Sequence, residues 1–147
     1  IMKDLLYLKD DQIKDFIQLL YNAYKVSSDD PRKILEKKFL GPAHLRILNQ
    51  IDRNPGISLG ELIFNLKVTK QSLNRVIRDL LSKKMIKQIQ DEKDTRKKKI
   101  FLEKEGKDFF ELVYNTQKIR IFNALKSSEP ESVLKFKQVL NLIINGK

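Results

Sequence analysis

A short charged segment in the second half of the chain has the residue types of a loop that binds a polyanion. In the run DEKDTRKKKIFLEKEG, Asp94 and Arg96 stand two apart, Leu102 follows after five intervening residues, and Gly106 ends the segment. The guanidinium of Arg96 can enter a narrow groove of strongly negative potential, and the lysines beside it can contact phosphates. Asp94 would repel such a partner, so the simplest role for its carboxylate is to pair with an arginine. The segment therefore predicts a basic hairpin tip that is held in shape.

Positive charge is concentrated around this segment. From Lys67 to Lys104 the chain holds 13 Lys or Arg against 5 Asp or Glu, a net charge of +8, which is most of the +11 carried by all 147 residues. A sequence pI near 9.8 suits nucleic acid or an anionic membrane, and charge alone does not choose between them. Residues 97–99, three lysines, also have a simpler interpretation as a solubilising charge run on an edge strand. The order of the motifs along the chain must therefore decide between these interpretations.

Composition excludes several classes of protein. At 147 residues the chain can bury one compact core. It contains no cysteine and one histidine, His44, so it lacks the ligands of thiolate metal sites and has a single imidazole for catalysis. We therefore expect no metal, no cofactor and no enzymatic activity. No apolar run approaches the roughly 20 residues that span a bilayer, and the acidic start does not look like a secretory signal. These features predict a cytoplasmic protein with no membrane partner.

The elements that position the basic segment begin with two helices. Apolar residues at helical spacing predict a first amphipathic helix from Asp11, with Asp10 or Asp11 as its N-cap. The run SSDDP at residues 27–31 ends this helix. A second helix starts at the Gly-Pro pair 41–42 and ends at the turn formed by residues 54–56.

Two further helices and a hairpin follow. Ser58 has Glu61 three residues later, a capping box that predicts a short third helix. Thr69 can cap a fourth helix. Two short segments, residues 86–90 and 99–102, flank the charged run and predict the strands of a hairpin.

The C-terminal region predicts two more helices. A long helix starts at Lys104 and ends at Ser127, and Ser128 with Glu131 forms a second capping box. Four apolar residues of the last helix follow the spacing of a heptad seam: Val133, Phe136, Leu140 and Ile143. This apolar face is too broad for an exposed tail, so it indicates a packing surface.

The fourth helix presents a polar face near its N-terminal end, formed by Lys70, Gln71, Ser72, Asn74 and Arg75. When such a helix follows a capped helix and a tight turn, its first residues reach deepest into the DNA major groove. Gln and Asn can bind adenine, and Arg can bind guanine, through paired hydrogen bonds. Thr69 and Ser72 can donate to a phosphate near the positive end of the helix dipole. These residues also fit the solvated face of an ordinary amphipathic helix, but the adjacent basic hairpin favours DNA.

These residues resemble the MarR family of bacterial transcription regulators. The wing pattern of that family is matched by Asp94, Arg96, Leu102 and Gly106. The resemblance also covers the stretch ISLGELIFNLKVTKQSLNRVIRDLLSKKMI and the flanking helices, from about residue 10 to residue 147.

Three positions depart from the family pattern. Glu103 replaces the usual Thr, although a carboxylate suits the positive end of the long helix. Lys67 and Lys84 stand where Gly is common in two turns. If those backbones need positive φ, a lysine strains them.

The resemblance implies a mainly α fold with a small β wing. It is a winged helix-turn-helix with the element order α-α-β-α-α-β-β-α-α that forms an intertwined homodimer. Residues 41–104 form the expected DNA-binding domain, and residues 1–40 and 105–147 the helical dimerisation region. We expect dimer contacts from the first and last helices, at Ile13, Ile17, Val133, Phe136, Leu140 and Ile143. Two readers about one DNA turn apart predict an inverted-repeat operator of roughly 16 to 20 base pairs.

The resemblance also implies function: a sequence-specific regulator that binds double-stranded DNA, a repressor of the MarR type released by a small-molecule effector. We expect DNA contacts from the fourth helix and the hairpin tip, at Thr69, Lys70, Gln71, Ser72, Asn74, Arg75, Lys93, Asp94, Arg96, Lys97 and Lys98. Candidate effector-binding residues are Tyr24, His44 and Arg46, each of which also suits a surface or packing role. The alternative function is a winged-helix protein-interaction module that docks on an acidic partner.

Overall fold

The computed structural model describes residues 5–146. After a 3-10 turn at Leu6–Leu8, its elements are α1 (Asp10–Asp29), α2 (Arg32–Lys37), α3 (Pro42–Arg53), α4 (Leu59–Leu66), α5 (Lys70–Ser82), β1 (Ile86–Gln90), β2 (Lys98–Leu102), α6 (Lys104–Lys126) and α7 (Pro130–Asn145). The chain divides into two compact units. The central unit is Ser28–Tyr114, and the end unit combines the chain up to Ser27 with the chain from Asn115.

The predicted fold class is confirmed: the protein is mainly helical with one two-stranded antiparallel hairpin. In this hairpin, which we call the wing together with its loop at residues 91–97, Ile86 pairs with Leu102 and Gln90 pairs with Lys98. The β segment expected between the second and third helices is a single bridge, because only Ile57 pairs with Ile100 there. The bridge ties the turn before α4 to the second strand of the wing.

One hydrophobic core holds the central unit together. Its most deeply buried members come from five different elements: Leu48, Leu62, Leu80, Ile100 and Val113. Because α3, α4, α5, the wing and the start of α6 all contribute to this core, the wing and α5 are positioned by the same packing.

Caps and turns fix the two helices that precede the wing. The hydroxyl of Ser58 accepts the Glu61 N–H at 3.2 Å, and that of Thr69 accepts the Ser72 N–H at 3.2 Å, as predicted. Lys67 ends α4 with φ 53°, and Lys84 follows α5 with φ 58°. Both lysines are therefore in the left-handed region that favours glycine.

The first turn of α6 approaches the turn after α5 very closely. The Glu103 N–H donates to the Met85 carbonyl at 2.8 Å. A Cβ atom on Gly106 would lie only 2.0 Å from the same carbonyl oxygen. Glycine at this position lets α6 pack directly behind the wing.

The predicted N-cap of the first helix is wrong. Asp10 and Asp11 do not cap α1; they lie in its first turn, because the Lys9 carbonyl already accepts the first helical hydrogen bond from Ile13. The predicted break at residues 27–31 is confirmed, because α1 ends at Asp29, but residues 32–37 form a short helix that was not predicted.

The expected capping box of the last helix is also wrong. The Ser128 hydroxyl donates back to the Ala124 carbonyl at 2.8 Å, so it ends α6 instead of starting α7. The N-cap of α7 is Glu129, which makes no side-chain cap, and Pro130 follows it at the first helical position. Proline suits that position because its missing N–H would have no helical partner.

The end unit buries little of its apolar surface within one chain. No residue of α1 or α7 is buried. Large apolar side chains on these helices remain exposed, among them Ile13, Ile17, Phe136 and Ile143. Within residues 5–146, no helix combines the length and apolar character needed to cross a bilayer.

Candidate nucleic-acid interface

Helix α5 buries one face and presents the other to solvent. Its buried residues are Leu73, Val76, Ile77 and Leu80. On the opposite side, the predicted polar residues Lys70, Gln71, Ser72 and Arg75 are exposed and Asn74 is half-buried. The Thr69 and Ser72 hydroxyls lie 2.8 Å apart at the positive end of the helix, where the free N–H groups also favour an anion.

The wing tip has the internal pairing that the sequence predicted. The Asp94 carboxylate accepts the Arg96 backbone N–H at 3.1 Å and its Nε at 3.4 Å. The Lys97 N–H donates to the Asp94 carbonyl at 3.0 Å, which closes a turn. The Arg96 side chain is nevertheless 91% exposed, whereas that of Asp94 is 35% exposed. Asp94 therefore shapes the tip while the guanidinium stays accessible.

Two further residues, which were not among the predicted site residues, shape the wing tip. Gln90 Nε2 donates to the Thr95 carbonyl at 2.7 Å, and Asp91 Oδ1 accepts the Lys93 N–H at 2.8 Å. This hydrogen bond lowers the pKa of Asp91 below its usual range. An aspartate that bonds the backbone two residues on is a known turn signal, so Asp91 was recognisable in the sequence.

The structure brings α5 and the wing onto a common cleft. Asn74 lines this cleft with three wing residues, Arg96, Lys97 and Lys98. Arg78, which was not among the predicted contacts, adds a further guanidinium. Lys93 is exposed at the wing tip but does not line the cleft. The side-chain amide of Asn74 and four cations therefore face one concave surface of the central unit.

Arg75 lies on a different flank of α5, in a shallow cleft with His44 and Asp79. His44 Nε2 lies 2.7 Å from Asp79 Oδ2, and Lys83 Nζ lies 2.7 Å from Asp79 Oδ1. Lys83, followed by His44, holds the pKa of Asp79 below its ordinary value of 3.8. The acidic residue on α5 is thus paired on both of its oxygens.

The residues predicted for effector binding lie in both units. His44 accepts the Gly41 N–H on Nδ1 at 3.1 Å, and Arg46 donates to the Leu66 carbonyl at 3.3 Å, so both have partners within the fold. Tyr24 is 60% exposed on α1. The effector assignment stays a prediction. Residues 5–146 contain no group of three His, Cys, Asp or Glu side chains that could hold a metal ion.

The helix pair and the wing define a winged helix-turn-helix protein, and comparisons with known proteins identify its family. The MarR family model matches residues 40–97. The chain is 33% identical over 141 residues to the HTH-type transcriptional regulator PetP of Rhodobacter capsulatus, which covers 96% of this chain and 85% of PetP. The protein belongs to the MarR family of transcriptional regulators. Membership places it with regulators and not with enzymes, as the sequence predicted.

Solved structures of the family share the fold. The transcriptional regulator BldR of Sulfolobus solfataricus superimposes with a TM-score of 0.71 at 20% identity, covering 92% of this chain and 96% of BldR. A point mutant of MarR from E. coli, complexed with operator DNA, gives a TM-score of 0.69 at 18% identity, covering 95% of this chain and 99% of that chain.

Proposed function

We propose that the protein binds an inverted-repeat operator in double-stranded DNA and regulates transcription as a repressor. The observation that carries this proposal is the cleft shared by α5 and the wing, where Asn74 faces the same space as Arg96, Lys97 and Lys98. A polyanion is the partner that this concentration of cations suits. A solved relative with the same fold, the MarR mutant from E. coli, is complexed with operator DNA.

Helix α5 is the element that we assign to the major groove. Its first turn is capped by Thr69, so the backbone there is rigid and its exposed side chains start from fixed positions. Gln71 and Asn74 carry amides that can read adenine, and Arg75 carries a guanidinium that can read guanine. Lys70 and the hydroxyl of Ser72 suit phosphates at the groove edge.

The wing is the element that we assign to the adjacent minor groove. Hydrogen bonds from Gln90, to Asp91 and to Asp94 hold its tip, so the backbone that carries Arg96 is already ordered before DNA binds. A narrow minor groove has the strongest negative potential and favours an arginine. Lys93, Lys97 and Lys98 flank it and suit the backbone phosphates.

We propose that the protein acts as a homodimer joined through the end unit. The exposed apolar residues of α1 and α7 form more hydrophobic surface than a lone soluble chain usually shows. A second copy is the occupant that fits, because a two-fold dimer also pairs two α5 helices for the two halves of an inverted repeat. Ile13, Ile17, Val133, Phe136, Leu140 and Ile143 are the proposed contacts.

Repression by occlusion of the polymerase is the simplest outcome for a DNA reader of this size. Release by a small-molecule effector completes the proposal. Such an effector must bind the form with low DNA affinity more tightly, and a tenfold loss of operator affinity needs about 1.4 kcal/mol of differential binding.

Selection of bound duplexes from a random pool tests the proposal. We expect enrichment of an inverted repeat of roughly 16 to 20 base pairs, bound at least about a thousandfold more tightly than unrelated duplex. Equal binding to every duplex, or binding only to acidic proteins, would contradict it and favour a protein-interaction module.

A further inference from the structure

An acidic residue of α5, Asp79, lies one helical turn after Arg75, the arginine that we assign to DNA. Arg75 and Asp79 are four residues apart on α5 and line the same cleft. Oppositely charged side chains at this spacing on a helix readily pair. A carboxylate paired with Arg75 would compete with DNA for the guanidinium.

In the structure, the Asp79 carboxylate is already paired with other residues. His44 lies 2.7 Å from Asp79 Oδ2 and Lys83 lies 2.7 Å from Oδ1, so each oxygen has a cationic or N–H partner. The side chains of His44 and Lys83 are only 17% and 27% exposed, which favours a fixed geometry. Within the described chain, Arg75 pairs with no carboxylate.

The tautomer of His44 follows from its second hydrogen bond. The Gly41 N–H at the start of α3 donates to Nδ1 at 3.1 Å, so Nδ1 carries no proton and Nε2 is the N–H group. Nε2 therefore donates to Asp79. Because Gly41 has no side chain to cap α3, His44 reaches back to its backbone and is held in place at both ring nitrogens.

We propose that His44 and Lys83 are positioning residues that sequester Asp79 and thereby keep Arg75 available for DNA. This inference rests on the proposed DNA-binding function and adds a role for three residues outside the DNA contact set. When either partner is lost, the freed carboxylate oxygen pairs with Arg75 and draws it away from the duplex.

The decisive experiment is a set of double-mutant cycles, read as affinity for the most enriched selected duplex at one salt concentration. We expect His44→Ala to weaken binding by about fivefold or more, the lower end of what one arginine–base contact contributes. His44→Gln keeps affinity within about twofold of the wild type, because its amide can also accept from Gly41 and donate to Asp79.

Two further backgrounds separate this role from damage to the fold. In an Asp79→Asn background, His44→Ala has little effect, because no carboxylate remains to capture Arg75. In an Arg75→Ala background it also has little effect, because the captured group is gone. A residue that only stabilised the fold would weaken binding in all three backgrounds.

Lys83→Met is the second probe. It leaves the His44 cap on α3 intact, so it can be measured even if His44→Ala unfolds the protein. It removes the other partner of Asp79, so its loss of affinity must also vanish with Asp79→Asn. Asp108→Asn, which removes an exposed carboxylate on α6, is the control for the change in net charge that Asp79→Asn makes.

The inference is overturned if folded His44→Ala and Lys83→Met bind as tightly as the wild type, or if their losses persist with Asn at position 79. A wild-type protein that binds no duplex overturns the proposed function and this inference together. Wild-type binding with unchanged variants overturns this inference alone.

Discussion

Replacing Gly106 with alanine tests the close approach between α6 and the turn that leads into the wing. The new Cβ would lie 2.0 Å from the Met85 carbonyl oxygen and 2.8 Å from its carbonyl carbon. Ordinary carbon contacts are about 3.5 Å or longer, so α6 must move by more than about 1 Å. The oxygen that it must leave is the acceptor of the Glu103 N–H at 2.8 Å.

The cost follows from what this movement disrupts. The lost hydrogen bond costs about 1 kcal/mol, and the displaced packing of Phe109, Phe110 and Val113 costs about 2 kcal/mol more. A loss of about 3 kcal/mol lowers Tm by roughly 6 to 12 °C in a protein of this size. Thermal unfolding followed by circular dichroism measures it.

Gly60→Ala is the matched control for this substitution. Its Cβ would meet nothing closer than the Ser58 hydroxyl at 3.9 Å, within helix α4. Alanine is the better helix former, so we expect the free energy of unfolding to stay constant or rise by up to about 1 kcal/mol. Tm should therefore stay constant or rise. A Gly106→Ala protein with the same Tm as the wild type would refute the reasoning.

Three other predictions follow from the structure. Arg96→Ala should reduce the magnitude of the slope of log affinity against log salt by about 1. Arg32→Ala, which removes a guanidinium that pairs with a glutamate on α2, should leave the slope unchanged. Equal slopes for Arg96→Ala and the wild type would remove the wing from the interface. Asp79 has a lowered pKa, so its pairing stabilises the fold above pH 3.8 and is lost as the pH falls through the folded-state pKa; Asp79→Asn should cost about 1 kcal/mol in urea unfolding at pH 7 and progressively less as the pH falls below 3.8, and a difference that does not shrink would contradict this sign. Lys84→Gly should raise the unfolding free energy by about 1 kcal/mol through relief of its positive φ, and Lys84→Ala should not; equal midpoints in denaturant would show that no strain is stored there.

Local signals in the sequence were sufficient to predict the two capped helices and the wing. Capping residues act over three positions, so Ser58 and Thr69 could be assigned from the sequence, and the structure confirms both caps. The wing was predictable because two short segments flank a charged run with the length of a hairpin tip, and the pair Asp94 and Arg96 lies within that tip. The strain at Lys67 and Lys84 was foreseeable from their place in two turns.

Interactions between distant residues were not predictable in the same way. His44 and Asp79 are 35 positions apart and meet only because α3 packs against α5. His44 was therefore an effector-ligand candidate from the sequence, and its link to α5 became visible only in the fold. Ser128 shows the converse, since a local pattern indicated a cap while the hydroxyl bonded to the preceding helix.

The most direct test of the central claim is native mass spectrometry of the protein with its selected duplex and with a scrambled duplex of equal length. We expect two chains on one selected duplex and little complex with the scrambled one. One chain per duplex, or equal occupancy of both sequences, would contradict a dimeric, sequence-specific DNA reader.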